Sequence, residues 1–132
     1  YAMGNFVNSI INNNNIKITG DGKPLRSYMY LGDMVYWLLK ILFEGKNYRD
    51  YNVGSDFGIS MKDLALLIID LLKSPNRVEI LGLKSKGIGN PPNYFYVPSI
   101  KRITQELKLF QLTSLNEAVK NYASYLIKAR DI

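Results

Sequence analysis

Apolar residues along this chain recur mostly at helical spacing, interrupted by short runs that alternate or cluster as strands do. Phe6, Ile10 and Ile11 share one helical face, which predicts a helix over residues 4–12. The run Asn12-Asn13-Asn14-Asn15 ends it, because Asn favours turns and left-handed backbone. Ile16-Lys17-Ile18 alternates like a short strand. Gly20-Asp21-Gly22-Lys23-Pro24 follows as a tight turn with two glycines available for positive φ. Tyr28-Met29-Tyr30 reads as a second strand. From Asp33 as cap to about Phe43, a helix places Met34, Trp37, Leu38, Ile41 and Leu42 on one face, and Gly45 stops it. Tyr51-Asn52-Val53-Gly54 reads as a strand. Ser60 to Asp63 has capping-box spacing and opens a helix to about Lys73, with Leu64, Leu67, Ile68 and Leu71 inward and Pro75 forbidding continuation. Val78 to Leu81 is a strand, 82–93 a Gly/Pro/Lys-rich irregular stretch, and Tyr94 to Val97 extended. Ser99 caps a helix to about Leu107, and Ser114-Leu115-Asn116-Glu117 opens the last one. The fold class is therefore α/β, a small mixed domain of short strands and amphipathic helices, with no internal repeat.

Composition narrows the chemistry. At 132 residues and 47% hydrophobic content, the chain supports one core. It contains neither cysteine nor histidine, which excludes disulfides, thiolate metal sites, a cysteine nucleophile and the commonest general base. No metal site is expected. No apolar run approaches the roughly 18–20 residues of a membrane span, and no secretory signal is visible, so a cytoplasmic protein without membrane association is the expectation. The abrupt N-terminus suggests a fragment. A net charge of +6 favours a polyanionic partner. The cations are scattered, so nucleic acid and a phosphate-bearing small molecule both fit.

Three segments carry candidate chemistry. Gly20 to Tyr28 places Arg26 just after a rigid turn, where its planar fork suits two phosphate oxygens; taken alone, the segment fits a surface hairpin with an ion-paired arginine better. Tyr51 to Ser55 leaves an amide, Asn52, and bare backbone at a strand's C-terminal edge, where α/β proteins collect ligands, or simply ends a strand. Asn90 to Ser99 is stiffened by prolines and offers tyrosine hydroxyls, or packs aromatics on the core.

Taken together, in this order and spacing, these segments resemble the C-terminal third of the extended short-chain dehydrogenase/reductases, the Rossmann-type NAD-dependent nucleotide-sugar epimerases and dehydratases, particularly dTDP-glucose 4,6-dehydratase-like and O-antigen sugar enzymes. The family pattern is a Gly-Asp-Gly turn leading to Arg and an aromatic, an Asp-capped helix, a Tyr-Asn-Val-Gly strand, a Ser-capped helix and a Tyr-containing strand. The resemblance covers residues 1–132. It implies the C-terminal nucleotide-sugar-binding portion of such an enzyme, with the N-terminal NAD-binding domain absent and the chain alone inactive. NAD(P) would then belong to the full-length enzyme, held mainly by that missing domain, with none expected on this chain alone. The parent reaction would begin with hydride transfer from a sugar carbon to NAD.

By resemblance, Arg26 contacts the pyrophosphate of the nucleotide-sugar, Asn52 faces the nucleotide-phosphate region, and Tyr96 approaches the phosphate pocket. Ile18 lies on the strand whose backbone receives the base, and Asn5 sits near the substrate-facing helix start. Two departures stand out. Thr19 replaces an aromatic that stacks on the base in relatives, and Gly89 and Pro92 stand where relatives carry an arginine or acid, a role open to Lys84 or Lys86. No catalytic residue is expected. Tyr36 and Lys40 have the family's Tyr-x-x-x-Lys spacing, but they follow the substrate arginine, whereas the catalytic pair precedes it. A self-contained reductase also fails for want of a dinucleotide glycine turn. In relatives, residues 33–45 and 51–54 join the cofactor lobe, so exposure of Trp37 and Leu38 and homo-oligomer formation are expected here. The alternative is a small basic module binding nucleic acid or protein, for which no recognition signature occurs.

Overall fold

A computed structural model describes residues 2–82 and 94–129. In chain order the elements are α1 (Ala2–Ile11), β1 (Ile16–Ile18), β2 (Leu25–Ser27), α2 (Leu31–Glu44), β3 (Gly58–Ser60), α3 (Met61–Leu71), β4 (Val78–Ile80), β5 (Phe95–Tyr96), α4 (Lys101–Leu107) and α5 (Leu115–Lys128). Mixed α/β is what the hydrophobic pattern implies and what forms.

The strands make two small sheets. β1 pairs with β4 in parallel, Lys17 beside Glu79, while β2 lies between antiparallel β3 and parallel β5. The larger core gathers Phe6, Val7 and Ile10 of α1, Ile16 and Ile18 of β1, Leu64, Ala65 and Ile68 of α3, and Val119 and Ala123 of α5. β1 alternates buried, exposed, buried, so Lys17 faces away from this core. A smaller cluster of Trp37, Ile103 and Leu109 joins α2 to α4. Two serine caps form as the spacing implies: Ser60 accepts from the Asp63 amide, and Ser114 with Glu117 completes a full capping box. The capping contacts hold the Glu117 carboxyl below its usual range.

Several sequence expectations need correction. Residues 28–30 form no strand, because the pairing with β3 and β5 falls on Leu25–Ser27. Residues 51–54 are also unpaired, and the strand after α2 is Gly58–Ser60. Asp33 is not a helix cap. Tyr30 is the N-cap, and Asp33, 5% exposed, accepts from the Leu112 and Thr113 amides (both 2.9 Å) and the Thr113 hydroxyl (3.0 Å). It ties α2 to the connection between α4 and α5. Ser99 likewise leaves the cap position to Ile100; its carbonyl instead accepts from the Asn52 amide. Trp37 is fully buried rather than exposed, since Ile103 and Leu109 cover it from within the chain. Leu38 and Leu42, placed on the same face as Trp37 by spacing, are 50% and 73% exposed. Lys84, Lys86, Gly89 and Pro92 lie outside the described residues.

Candidate functional site

A cavity of about 920 Å³ lies beside β1, between α1 and the turn that leads into β2. Its position follows from the sheet. β1 pairs only with β4 among the described residues. Ile16 donates its N–H to the Arg77 carbonyl (2.9 Å), and the Ile18 carbonyl accepts from Leu81 (2.8 Å). Alternate residues of a parallel strand turn their backbone groups to the same side, so the Lys17 N–H and carbonyl point to the open edge.

The turn into β2 is fixed at both ends. Gly22 has φ 76°, a left-handed value that a side chain resists. A Cβ there would also sit 3.1 Å from the Lys62 Cβ. The carbonyls of Gly22 and Pro24 accept from the amides of Lys62 (3.0 Å) and Met61 (3.2 Å), at the start of α3. Asp21 closes the turn by accepting from the Lys23 amide at 3.1 Å. β2 then runs as the centre of three strands, so Arg26 leaves a backbone held on both sides. Its guanidinium donates to the Leu25 carbonyl at 2.8 Å and lines the cavity. Neighbouring Tyr28 has its hydroxyl pKa pushed up by burial, with the Arg26 charge opposing.

The residues named from the sequence divide between places. Asn5, Ile18 and Arg26 meet in this one cavity. Tyr96 stands beside Arg26 in the β2–β5 register and is 70% exposed. Asn52 lies elsewhere, in a hollow with Arg49, Ser99, Arg102 and Glu106, its amide spent on the Ser99 carbonyl at 2.9 Å. Sequence reasoning passed over Asn15, Lys17 and Glu79, which also line the large cavity. The sequence marks Lys17, which interrupts the apolar pair Ile16 and Ile18, whereas Glu79 joins it only through the β1–β4 register.

Of the two carboxylates lining the Asn52 hollow, Asp50 and Glu106, Glu106 holds the hydrogen bonds that shape it. Glu106 accepts from Arg49 (2.5 Å) and from the Tyr51 hydroxyl (3.0 Å), and lies 3.6 Å from Lys46. The Arg49 hydrogen bond, with Tyr51 assisting, brings its pKa down to about 2. A carboxyl lowered from an unfolded value near ~4.3 stabilises the fold fully above that pH and loses the contribution as pH falls toward 2. Removing the carboxylate by Glu106→Gln is therefore expected to lower Tm at neutral pH. The deficit relative to wild type should shrink below about pH 4. Melting curves across pH check this, and a deficit independent of pH would contradict it.

Tyr36 and Lys40 lie one turn apart on α2. Tyr36 is 45% exposed on α2, and the Lys40 ammonium pairs with Glu44, which raises its pKa. General acid–base groups contribute about 10²–10⁴-fold to rate. Tyr36→Phe in the complete enzyme should leave turnover nearly intact, and a loss of that size would reverse the assignment.

Comparison with known proteins follows the same line. Residues 2–54 match the model of the NAD dependent epimerase/dehydratase family. The chain resembles part of such an enzyme. It is 41% identical over 66 residues to the dTDP-D-glucose 4,6-dehydratase of Dictyostelium discoideum, a match covering 50% of this chain and 15% of that protein. Its fold matches the NAD complex of dTDP-Glucose 4,6-dehydratase from Bacillus anthracis with TM-score 0.84 and 14% identity, over 99% of this chain and 40% of that one. UDP-Glucose 4-Epimerase from Thermotoga maritima, solved with UDP-glucose, matches with TM-score 0.81 and 20% identity, over 95% and 38% respectively. The fold is thus shared with part of these two structures, and the chain spans well under half the length of these relatives. The Gly20–Gly22 turn lacks the glycine spacing of a dinucleotide turn, so no NAD contact is assigned to it. No helix among the described residues is long and apolar enough to cross a membrane.

Proposed function

We propose that this chain holds the nucleotide-sugar substrate of an NAD-dependent epimerase/dehydratase, with a dTDP-glucose-like ligand. The observation that carries this reading is Arg26, on a strand fixed at both edges, facing a cavity shared with Asn5 and the open edge of β1. A guanidinium there meets a pyrophosphate, and free backbone groups of β1 meet the nucleoside. Tyr96, next to Arg26 in register, supplies a hydroxyl toward the same phosphates. Asn52 acts at a distance, by holding the Ser99 carbonyl at the approach to α4. The chain alone binds without turnover, and the residues that transform the sugar belong to the N-terminal NAD-binding domain.

Titration of the chain with dTDP-glucose tests this by calorimetry and by NMR shifts. Saturable binding with shifts at Asn5, Ile18 and Arg26 is expected, with a modest dependence on salt. No binding of dTDP-glucose, together with tight association with DNA that falls steeply as salt rises, would replace the reading with a nucleic-acid module.

A second element of the proposal is self-association. Leu31, Leu42 and Phe43 of α2 are 64%, 73% and 79% exposed. Apolar area of this kind promotes association when nothing covers it. Light scattering at high concentration is expected to show species larger than 15.1 kDa; a clean monomer would count against it.

A further inference from the structure

A second cavity, of about 320 Å³, opens where the stretch after β2, the loop before β3 and the start of α5 meet. It shares no lining residue with the cavity of Arg26. Its size falls at the small end of the roughly 300–1,000 Å³ that ligand sites occupy. The loop before β3 is set by two glycines. A Cβ on Gly54 would sit 2.9 Å from Pro98 Cγ, and one on Gly58 2.8 Å from Val97 Cγ2, so this backbone approaches residues 97–98 as closely as only glycine allows. Ser55, between them, is 3% exposed and lines the cavity. Its hydroxyl oxygen accepts from the Phe57 amide at 3.1 Å, while its hydrogen has no acceptor among the described residues. A buried donor left unspent costs free energy that a ligand can return. Other polar groups line the same space. The Tyr28 hydroxyl has only the Met61 sulfur, at 3.8 Å. The half-buried Gln111 amide makes no hydrogen bond to a described residue. Glu117 spends Oε2 on Ser114 and keeps Oε1. Thr113 offers little, because its amide and hydroxyl are committed to Asp33. Phe57 and Leu112, 61% and 74% exposed, supply apolar walls, and no lysine or arginine lines the cavity.

We infer that this cavity binds a small neutral polyhydroxy compound, a free sugar or polyol without phosphate. Each hydroxyl of such a ligand both donates and accepts. The cavity offers both kinds of partner: Ser55 and Tyr28 hydroxyls as donors, Glu117 Oε1 as acceptor, and the Gln111 amide as either. The C–H groups of the same ligand cover Phe57 and Leu112, which water leaves exposed. A phosphate would meet the Glu117 carboxylate with no lining cation to offset it, so a nucleotide belongs in the Arg26 cavity and not in this one. An ammonium would satisfy the carboxylate but leave the Ser55 and Tyr28 hydrogens unspent. The inference does not rest on the nucleotide-sugar reading, because the two cavities have separate walls.

The test is an NMR titration of the full chain with D-glucose, butylamine and inorganic phosphate, in wild type, Gln111→Ala, Tyr28→Phe and Arg26→Ala. Glucose is expected to give saturable shifts at Ser55, Phe57, Gln111 and Leu115 in wild type, and the other two probes none there. Gln111→Ala and Tyr28→Phe should each weaken glucose about threefold to tenfold, the effect of one neutral hydrogen bond. Arg26→Ala should bind glucose as wild type does. Absence of glucose shifts at these four residues overturns the inference, and so does a glucose affinity that neither Gln111→Ala nor Tyr28→Phe changes. Butylamine binding here in preference to glucose would make this a cation site instead. Glucose shifts confined to Asn5 and Ile18 and lost in Arg26→Ala would assign the sugar to the other cavity, and the inference fails while the nucleotide-sugar reading stands.

Discussion

Arg26→Ala should weaken dTDP-glucose binding about tenfold to a hundredfold, because a charged hydrogen bond contributes about 1.5–3 kcal/mol. The size depends on how little of the arginine must be ordered at binding. β2 is the central strand of its sheet, and the preceding turn is pinned to α3 through Gly22 and Pro24, so the backbone under Arg26 is already fixed. The guanidinium is also partly fixed by its bond to the Leu25 carbonyl. Such preorganisation means that the phosphate gains the hydrogen bonds without first immobilising a free side chain. Arg26→Lys keeps the charge and loses the planar fork, so it should recover only part of the affinity. Calorimetry on the three proteins decides: equal affinity in wild type and Arg26→Ala would remove this residue from the site.

The elements that were legible in the sequence are those whose stability is local. α1, α3 and α5 carry their apolar stripe and their stop or cap signals within a dozen residues, and they form close to where the pattern puts them. The strands were harder because each is only two or three residues long. At that length alternation means little, and pairing partners far along the chain decide where a strand falls. Tyr28–Tyr30 and Tyr51–Gly54 look more strand-like than Leu25–Ser27 and Gly58–Ser60, yet the latter are the segments that lie opposite each other. Asp33 shows the same limit in a polar residue. Its position near a helix start suggested a cap, whereas its partners are Leu112 and Thr113, some eighty residues away. For the site, Arg26, Ile18 and Asn5 converge because a short turn and one strand pair hold them, whereas Asn52 belongs to a separate hollow around Glu106. Glu79 was missed because its relation to Lys17 exists only in the β1–β4 register.

Trp37→Ala is expected to cost about 3–5 kcal/mol, the range for removing a large aromatic from a core. Trp37 is 0% exposed and touches both Ile103 and Leu109, with Met29, Ile41, Tyr51, Val53, Ile100 and Leu107 around them. Its indole N–H donates to the Phe110 carbonyl at 3.3 Å, so truncation leaves a cavity and strips that carbonyl of its donor. Net stabilities of domains are about 5–15 kcal/mol, which makes such a loss a large fraction of the whole. Trp37→Phe keeps most of the volume and loses only the N–H and part of the ring, so it should cost well under half as much and stay folded. Urea unfolding of both variants separates the outcomes. The large cavity draws on the other core cluster, so dTDP-glucose affinity in folded Trp37→Phe should match wild type. A cost below about 1 kcal/mol for Trp37→Ala would mean that the α2–α4 cluster contributes little to stability. A large loss of affinity in Trp37→Phe would instead mean that the two clusters are coupled through the Asp33 tie to residues 112–113.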